Sequence, residues 1–106
     1  MAERESFSTK LDGGTLTVRF LVNSLVFPDQ IRPLEEDIKA PPGDASVNQV
    51  VLDCTGVDHI SSSIWGEMIR LSHAFKEQGG KLRITSMGQH VQEAFDVMNL
   101  GEVLET

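Results

Sequence analysis

This sequence predicts an α/β fold, a four-stranded mixed sheet with helices mainly on one face. Three observations predict it. Phe7–Leu11 and Thr15–Val22 flank Asp12-Gly13-Gly14, a tight-turn signal between two strand-like runs. Gln49–Cys54 is a near-continuous apolar run bounded by turn residues. Beyond it, Ile64, Met68, Leu71 and Phe75 recur at helical spacing before a fourth strand-like run, Lys81–Ser86.

In the second strand, Leu16, Val18, Phe20 and Val22 alternate with Thr15, Thr17, Arg19 and Leu21. A period of two gives one buried and one mostly polar face. In Phe27–Lys39, Ile31, Leu34 and Ile38 share a helical face. Pro33 cannot sit deep in a helix without losing a hydrogen bond. Either the helix starts near Asp29 with Pro33 in its first turns, or Pro33 is its first residue. Ala40–Asn48 is a loop by composition.

Gln49–Cys54 is expected as a central strand covered on both faces. The helix that follows is closed by Gly79-Gly80. Gln89–Met98 places Val91, Ala94, Phe95 and Met98 on one face of a last helix. The order is β-β-α-β-α-β-α, so the later strands pair in parallel through crossovers. The sheet's second face is covered only in part, by the N-terminal strand or by a partner.

At 106 residues the chain holds one domain, spanning 1–106. Its 9 basic and 16 acidic residues give a formal charge of −7. That opposes general nucleic-acid binding, which needs a basic stripe, and anchoring on anionic lipid. No apolar run approaches the roughly 18 residues of a membrane span, and MAERESFS lacks the apolar stretch of a signal peptide. A cytoplasmic protein is the expectation, with no membrane insertion. A single cysteine, Cys54, lies in the most apolar run. It reads as a small core residue in a reducing compartment, against the alternative of a reactive thiol.

The chemistry concentrates in Val50–Gly66, VVLDCTGVDHISSSIWG. Ser61, Ser62 and Ser63 stand where a helix begins, facing unpaired N–H groups and the positive end of the dipole. One hydroxyl suffices as a cap. Three in a row leave hydroxyls for solvent, and a phosphate there meets a favourable helix end and the repulsion of Asp58. Asp53, Asp58 and His59 support neither an acid–base pair nor a metal site by spacing. His59, His73 and His90 show no zinc-ligand pattern. Nothing matches a nucleophile elbow. No catalytic residue, metal or cofactor is expected, and the chain reads as a non-enzyme. Trp65 reads as partly buried core, or else as an exposed anchor. Met87 and Met98 read as core fillers or loop contacts.

The lead-in Leu52-Asp53-Cys54-Thr55-Gly56-Val57-Asp58-His59-Ile60 resembles that of STAS domains, the family of bacterial anti-sigma-factor antagonists. Ser61-Ser62-Ser63-Ile64-Trp65-Gly66 lies over the family's Asp-Ser-Ser-Gly-Leu-Gly, Gly79-Gly80-Lys81-Leu82 over its Gly-Gly-x-Leu, and Val91–Leu100 over its closing helix. The resemblance implies phosphorylation at Ser62, by an ATP-dependent serine kinase that doubles as the anti-sigma factor. It also implies a phosphatase, of PP2C type, that resets the domain. Here Ser61 replaces the family's aspartate and Ile64 its glycine.

Two readings follow. In the first, the chain is a partner-switching regulator of transcription. Ser62 is the phosphoacceptor, Ser61 and Ser63 cap the helix or substitute for Ser62, and Asp58, His59, Ile64, Trp65, Glu67 and Met68 meet the partner. In the second, it is a non-phosphorylated STAS scaffold, or an accessory subunit of a signalling complex or transporter ATPase.

Overall fold

Two glycines turn the chain from its first long strand into its second. Gly13 and Gly14 have φ of 57° and 84°, a conformation that costs any residue carrying a Cβ. The computed structural model, which describes residues 2–3, 6–39 and 46–106, places β2 (Phe7–Asp12) and β3 (Thr15–Phe20) on either side of that turn. Their register sets Phe7 opposite Phe20, with ring centroids 6.4 Å apart and planes at 77°. Such an edge-to-face pair fastens one end of the hairpin. A two-residue strand, β1 (Ala2–Glu3), flanks β2.

β5 (Gln49–Asp53) pairs in parallel with β3, and β7 (Lys81–Thr85) in parallel with β5. The sheet order is β1-β2-β3-β5-β7, which is four long mixed strands plus the short edge. α1 (Pro33–Lys39), α2 (Ser62–Glu77) and α3 (Gln89–Val97) complete the α/β fold. Period-two alternation turns Leu16, Val18, Val50, Leu52, Leu82 and Ile84 to one face, where they share a core with Leu34, Ile64, Met68, Leu71, Phe75, Val91 and Phe95 of the helices.

Pro33 is the first residue of α1, and a separate 3-10 turn spans Pro28–Gln30. Proline lacks the N–H that a first helical residue leaves unpaired anyway. Gly79, at φ 83°, ends α2. A Cβ on Gly80 would lie 2.5 Å from the Phe75 ring, so the close approach itself demands glycine.

Three expectations are corrected. β5 is not covered on both faces: Val50 and Leu52 are buried while Gln49, Val51 and Asp53 stay partly open, because the described helices pack on the other face. Val22 lies beyond β3 and is half-buried. Met98 caps α3 and is 46% exposed instead of core. The loop expected over 40–48 lies outside the described residues except for 46–48.

Candidate functional site

A small ladder that the sequence pattern does not announce positions the serines. β4 (Ser24–Leu25) pairs in parallel with β6 (His59–Ile60). The Asp58 N–H donates to the Asn23 carbonyl at 2.7 Å, and the Ser61 N–H to the Leu25 carbonyl at 2.8 Å. The strand therefore arrives at α2 with its direction already set. Ser61 is the N-cap, extended at φ −74° and ψ 162°. Its hydroxyl oxygen accepts from the Ile64 N–H at 3.3 Å and donates to the Val26 carbonyl at 2.8 Å. Its carbonyl receives the first helical bond, from the Trp65 N–H at 3.0 Å.

One serine thus satisfies the cap, and Ser62 and Ser63 follow as the first two helical residues, both exposed. Among the described residues neither hydroxyl has a hydrogen-bond partner. Ser63 therefore does not cap the helix. An exposed hydroxyl on a first helical turn sits among unpaired N–H groups and the dipole's positive end, where added negative charge is stabilised. Asp58 and His59 are exposed immediately before the cap.

The remaining expected contact residues point elsewhere. Ile64 and Met68 are fully buried and Trp65 is 1% exposed, so all three belong to the core and none faces a partner. Helical spacing carries this: residues at 64, 68, 71 and 75 make one stripe, and that stripe packs on the sheet. Trp65 lies 5.9 Å from Phe95, centroid to centroid, and its indole N–H finds no acceptor among the described residues. Glu67 is held inside the chain, accepting from Arg32 at 3.4 Å and from Arg70 at 3.0 Å. Arg70 also reaches Glu35 at 3.0 Å. These pairs tie α1 to α2.

The segment that Ser61 reaches through the Val26 carbonyl carries exposed apolar residues. Phe27 is 68% exposed, Leu21 50% and Val26 37%. Gln30 staples this loop: its side-chain oxygen accepts from the Val26 and Phe27 N–H groups at 2.7 and 2.8 Å, and its amide donates to the Ser24 carbonyl at 3.1 Å. An open depression of about 480 Å³ beneath Phe27 is lined by Phe7, Val22, Gln30 and Pro33 among others. A glutamine three residues after Phe27, just beyond Pro28, is the sequence signal for this staple.

The titratable groups nearby are structural. Asp53 lies below the usual carboxylate range, chiefly because the Thr55 hydroxyl donates to it at 2.6 Å, with the Thr55 N–H at 3.0 Å adding to that. Burial, then the Asp53 carboxylate, pushes the Cys54 thiol up to about 12. A thiol so protonated is no nucleophile, and the core reading of Cys54 stands over the reactive one. No group of three His, Cys, Asp or Glu gathers as a metal site among the described residues.

The STAS domain family model matches residues 4–106. The chain belongs to the STAS domain family. Solved structures agree on the fold. This STAS domain superposes on the Thermotoga maritima protein TM1081 with a TM-score of 0.75 at 14% identity, over 98% of this chain and 82% of that one. The anti-sigma factor antagonist SpoIIAA in its unphosphorylated form gives 0.66 at 13% identity, over 86% and 82%. The murine anion transporter Slc26a9 gives 0.63 at 16% identity, over 83% of this chain and 14% of the transporter. At such identities the likeness is one of fold. No curated protein sequence matches the chain. No described helix is long and apolar enough to cross a membrane.

Proposed function

We propose that this STAS domain is an anti-sigma-factor-antagonist-like regulator, switched by phosphorylation of Ser62. The observation that carries the reading is the division of labour at α2: Ser61 supplies the cap, and the exposed Ser62 hydroxyl is unengaged among the described residues. A kinase must align the γ-phosphoryl with the attacking oxygen, which needs an accessible hydroxyl on a rigid support. Ile64 and Trp65, the bulky residues of the motif, turn into the core and leave that approach open.

The neutral state docks an ATP-dependent serine kinase that also serves as anti-sigma factor, over Ser62, Asp58, His59 and the apolar Val26–Phe27 loop. Phosphorylation adds about −1.5 to −2 charges within that contact and releases the partner. A PP2C-type phosphatase restores the hydroxyl, and all of this takes place in the cytoplasm. The function is regulatory, with no chemistry of its own.

Mass spectrometry of the protein isolated from its own cells tests this. One phosphate within His59–Arg70, mapped to Ser62 and lost in Ser62→Ala, is expected. Ser62→Ala retains kinase binding, and Ser62→Glu weakens it. A phosphate mapped to another residue, or a partner complex indifferent to ATP and to phosphatase, instead favours the non-phosphorylated scaffold or accessory subunit.

A further inference from the structure

The face of the sheet opposite the helices is polar and uncovered by any described helix. Strand register brings Lys10, Arg19, Lys81 and Arg83 onto it, against Asp12 and Asp53. Four cations on one face stand out in a chain of net charge −7. Arg83 donates to the Thr106 carbonyl at 3.5 Å, and among the described residues no side-chain carboxylate forms a salt bridge with any of the four. Asp53 is held chiefly by the Thr55 hydroxyl and N–H, with a smaller attraction from Arg19 on the neighbouring strand. Val51 sits near the centre of the face, half-buried. Parallel strands such as β3, β5 and β7 are ordinarily covered on both sides, so this face is the one left for a partner.

A second surface has the complementary character. From Ile84 to Thr106 there is no Lys or Arg, and there are four carboxylates. On α3, Glu93 and Val97 stand one turn apart with Asp96 beside them, and Glu102 follows in the 3-10 turn Leu100–Glu102. Val97 is 84% exposed, Met98 46% and Val103 38%. Glu93 and Asp96 accept only from the neutral Gln89 and Gln92, so their charge is not compensated. An apolar centre with an acidic rim is an interface pattern that lacks its partner.

The geometry points to a second copy of this chain as the occupant: the α3 end of one copy docks on the open sheet face of the next. Charge complementarity selects the arrangement. A symmetric sheet-to-sheet dimer opposes two faces that each carry more cations than carboxylates, and a symmetric α3-to-α3 dimer opposes carboxylates to carboxylates; the excess of like charge disfavours both. The head-to-tail contact joins opposite signs and covers Val97. It is heterologous, so copies add in a row or a ring. Ser62 lies on the helix layer, away from the sheet face, and Gly88 puts the start of α3 beside Val57. The exposed end of α3 is a helix length away, about 13 Å at 1.5 Å per residue. The assembly therefore does not depend on the reading of Ser62.

Two half-blocked variants test it. Val97→Lys spoils the α3 surface and keeps the sheet face; Lys10→Glu/Arg83→Glu does the reverse. All three substitutions are at exposed positions, and matching thermal melts establish that the folds are intact. In sedimentation velocity up to about 1 mM, wild type associates with concentration, each variant alone associates at least about tenfold more weakly, and an equimolar mixture forms a 1:1 dimer. In that mixture the Thr17, Val51 and Arg83 amides of ¹⁵N-labelled Val97→Lys shift on adding the unlabelled double variant. A wild type that stays monomeric overturns the inference. So does a mixture that stays monomeric with unshifted amides, or a variant that alone associates as well as wild type.

Discussion

The Ser61 hydroxyl donates to the Val26 carbonyl across 2.8 Å while accepting from the Ile64 N–H at 3.3 Å. One oxygen thus couples the start of α2 to the loop that presents Phe27. Ser61→Ala loses the cap and leaves the Val26 carbonyl without this donor. The expected cost is about 1 kcal/mol or somewhat more. Ser62→Ala, at a side chain without a partner, is expected to stay within about 0.5 kcal/mol of wild type. Urea unfolding of the two variants checks the contrast; equal losses would remove the distinction between capping serine and phosphoacceptor.

Ile64, in the first turn of α2, is fully buried. Ile64→Gly removes a packed side chain and adds the backbone cost of glycine in a helix. A loss of about 3 kcal/mol or more is expected. The observable is the denaturation midpoint at unchanged m-value, and a near-neutral result contradicts the placement of this side chain.

Asp53 is held below the usual carboxylate range by Thr55, first through its hydroxyl. The folded state thus prefers the ionised carboxyl more than the unfolded chain does. That stabilisation is complete above the ordinary carboxylate range and is lost as pH falls through the depressed value. Asp53→Asn should therefore lose most stability near about pH 7 and little near about pH 2. Urea midpoints across that range test the convergence; parallel curves argue against it.

Arg70 reaches Glu35 and Glu67, each at 3.0 Å, and its side chain is 46% exposed. Solvent screens such pairs, so Arg70→Ala is expected to cost no more than about 1 kcal/mol at low salt. The difference should shrink as salt rises above about 0.5 M, where screening acts within a few ångströms. A larger loss, unchanged by salt, would identify buried packing by the arginine stem as the real contribution.

Much of this is legible in the sequence. Asp12-Gly13-Gly14 and the alternation after it located the first hairpin, because turn residues and period two are local properties. The stripe Ile64, Met68, Leu71, Phe75 located α2, and the serine run located its start. The same stripe ought to have excluded Ile64 and Met68 as contact residues, since the side that packs on the sheet cannot also meet a partner. Trp65 was ambiguous for a related reason: it borders the stripe, and only its contact with Phe95 of a later helix settles its burial. The short ladder between Ser24–Leu25 and His59–Ile60 was not legible. Two-residue strands carry no periodicity, and their pairing joins segments far apart in the chain.

By itself, the order of residues determined the alternation of strands and helices, the turns, and the family, because propensity, period and glycine positions act over a few neighbours. Tertiary structure decided which of three adjacent serines caps α2. That choice depends on a carbonyl 35 positions away, Val26. It also decided that Gln49, Val51 and Asp53 of β5 stay partly open on the side away from the described helices, since cover is a property of how elements pack and of no single strand.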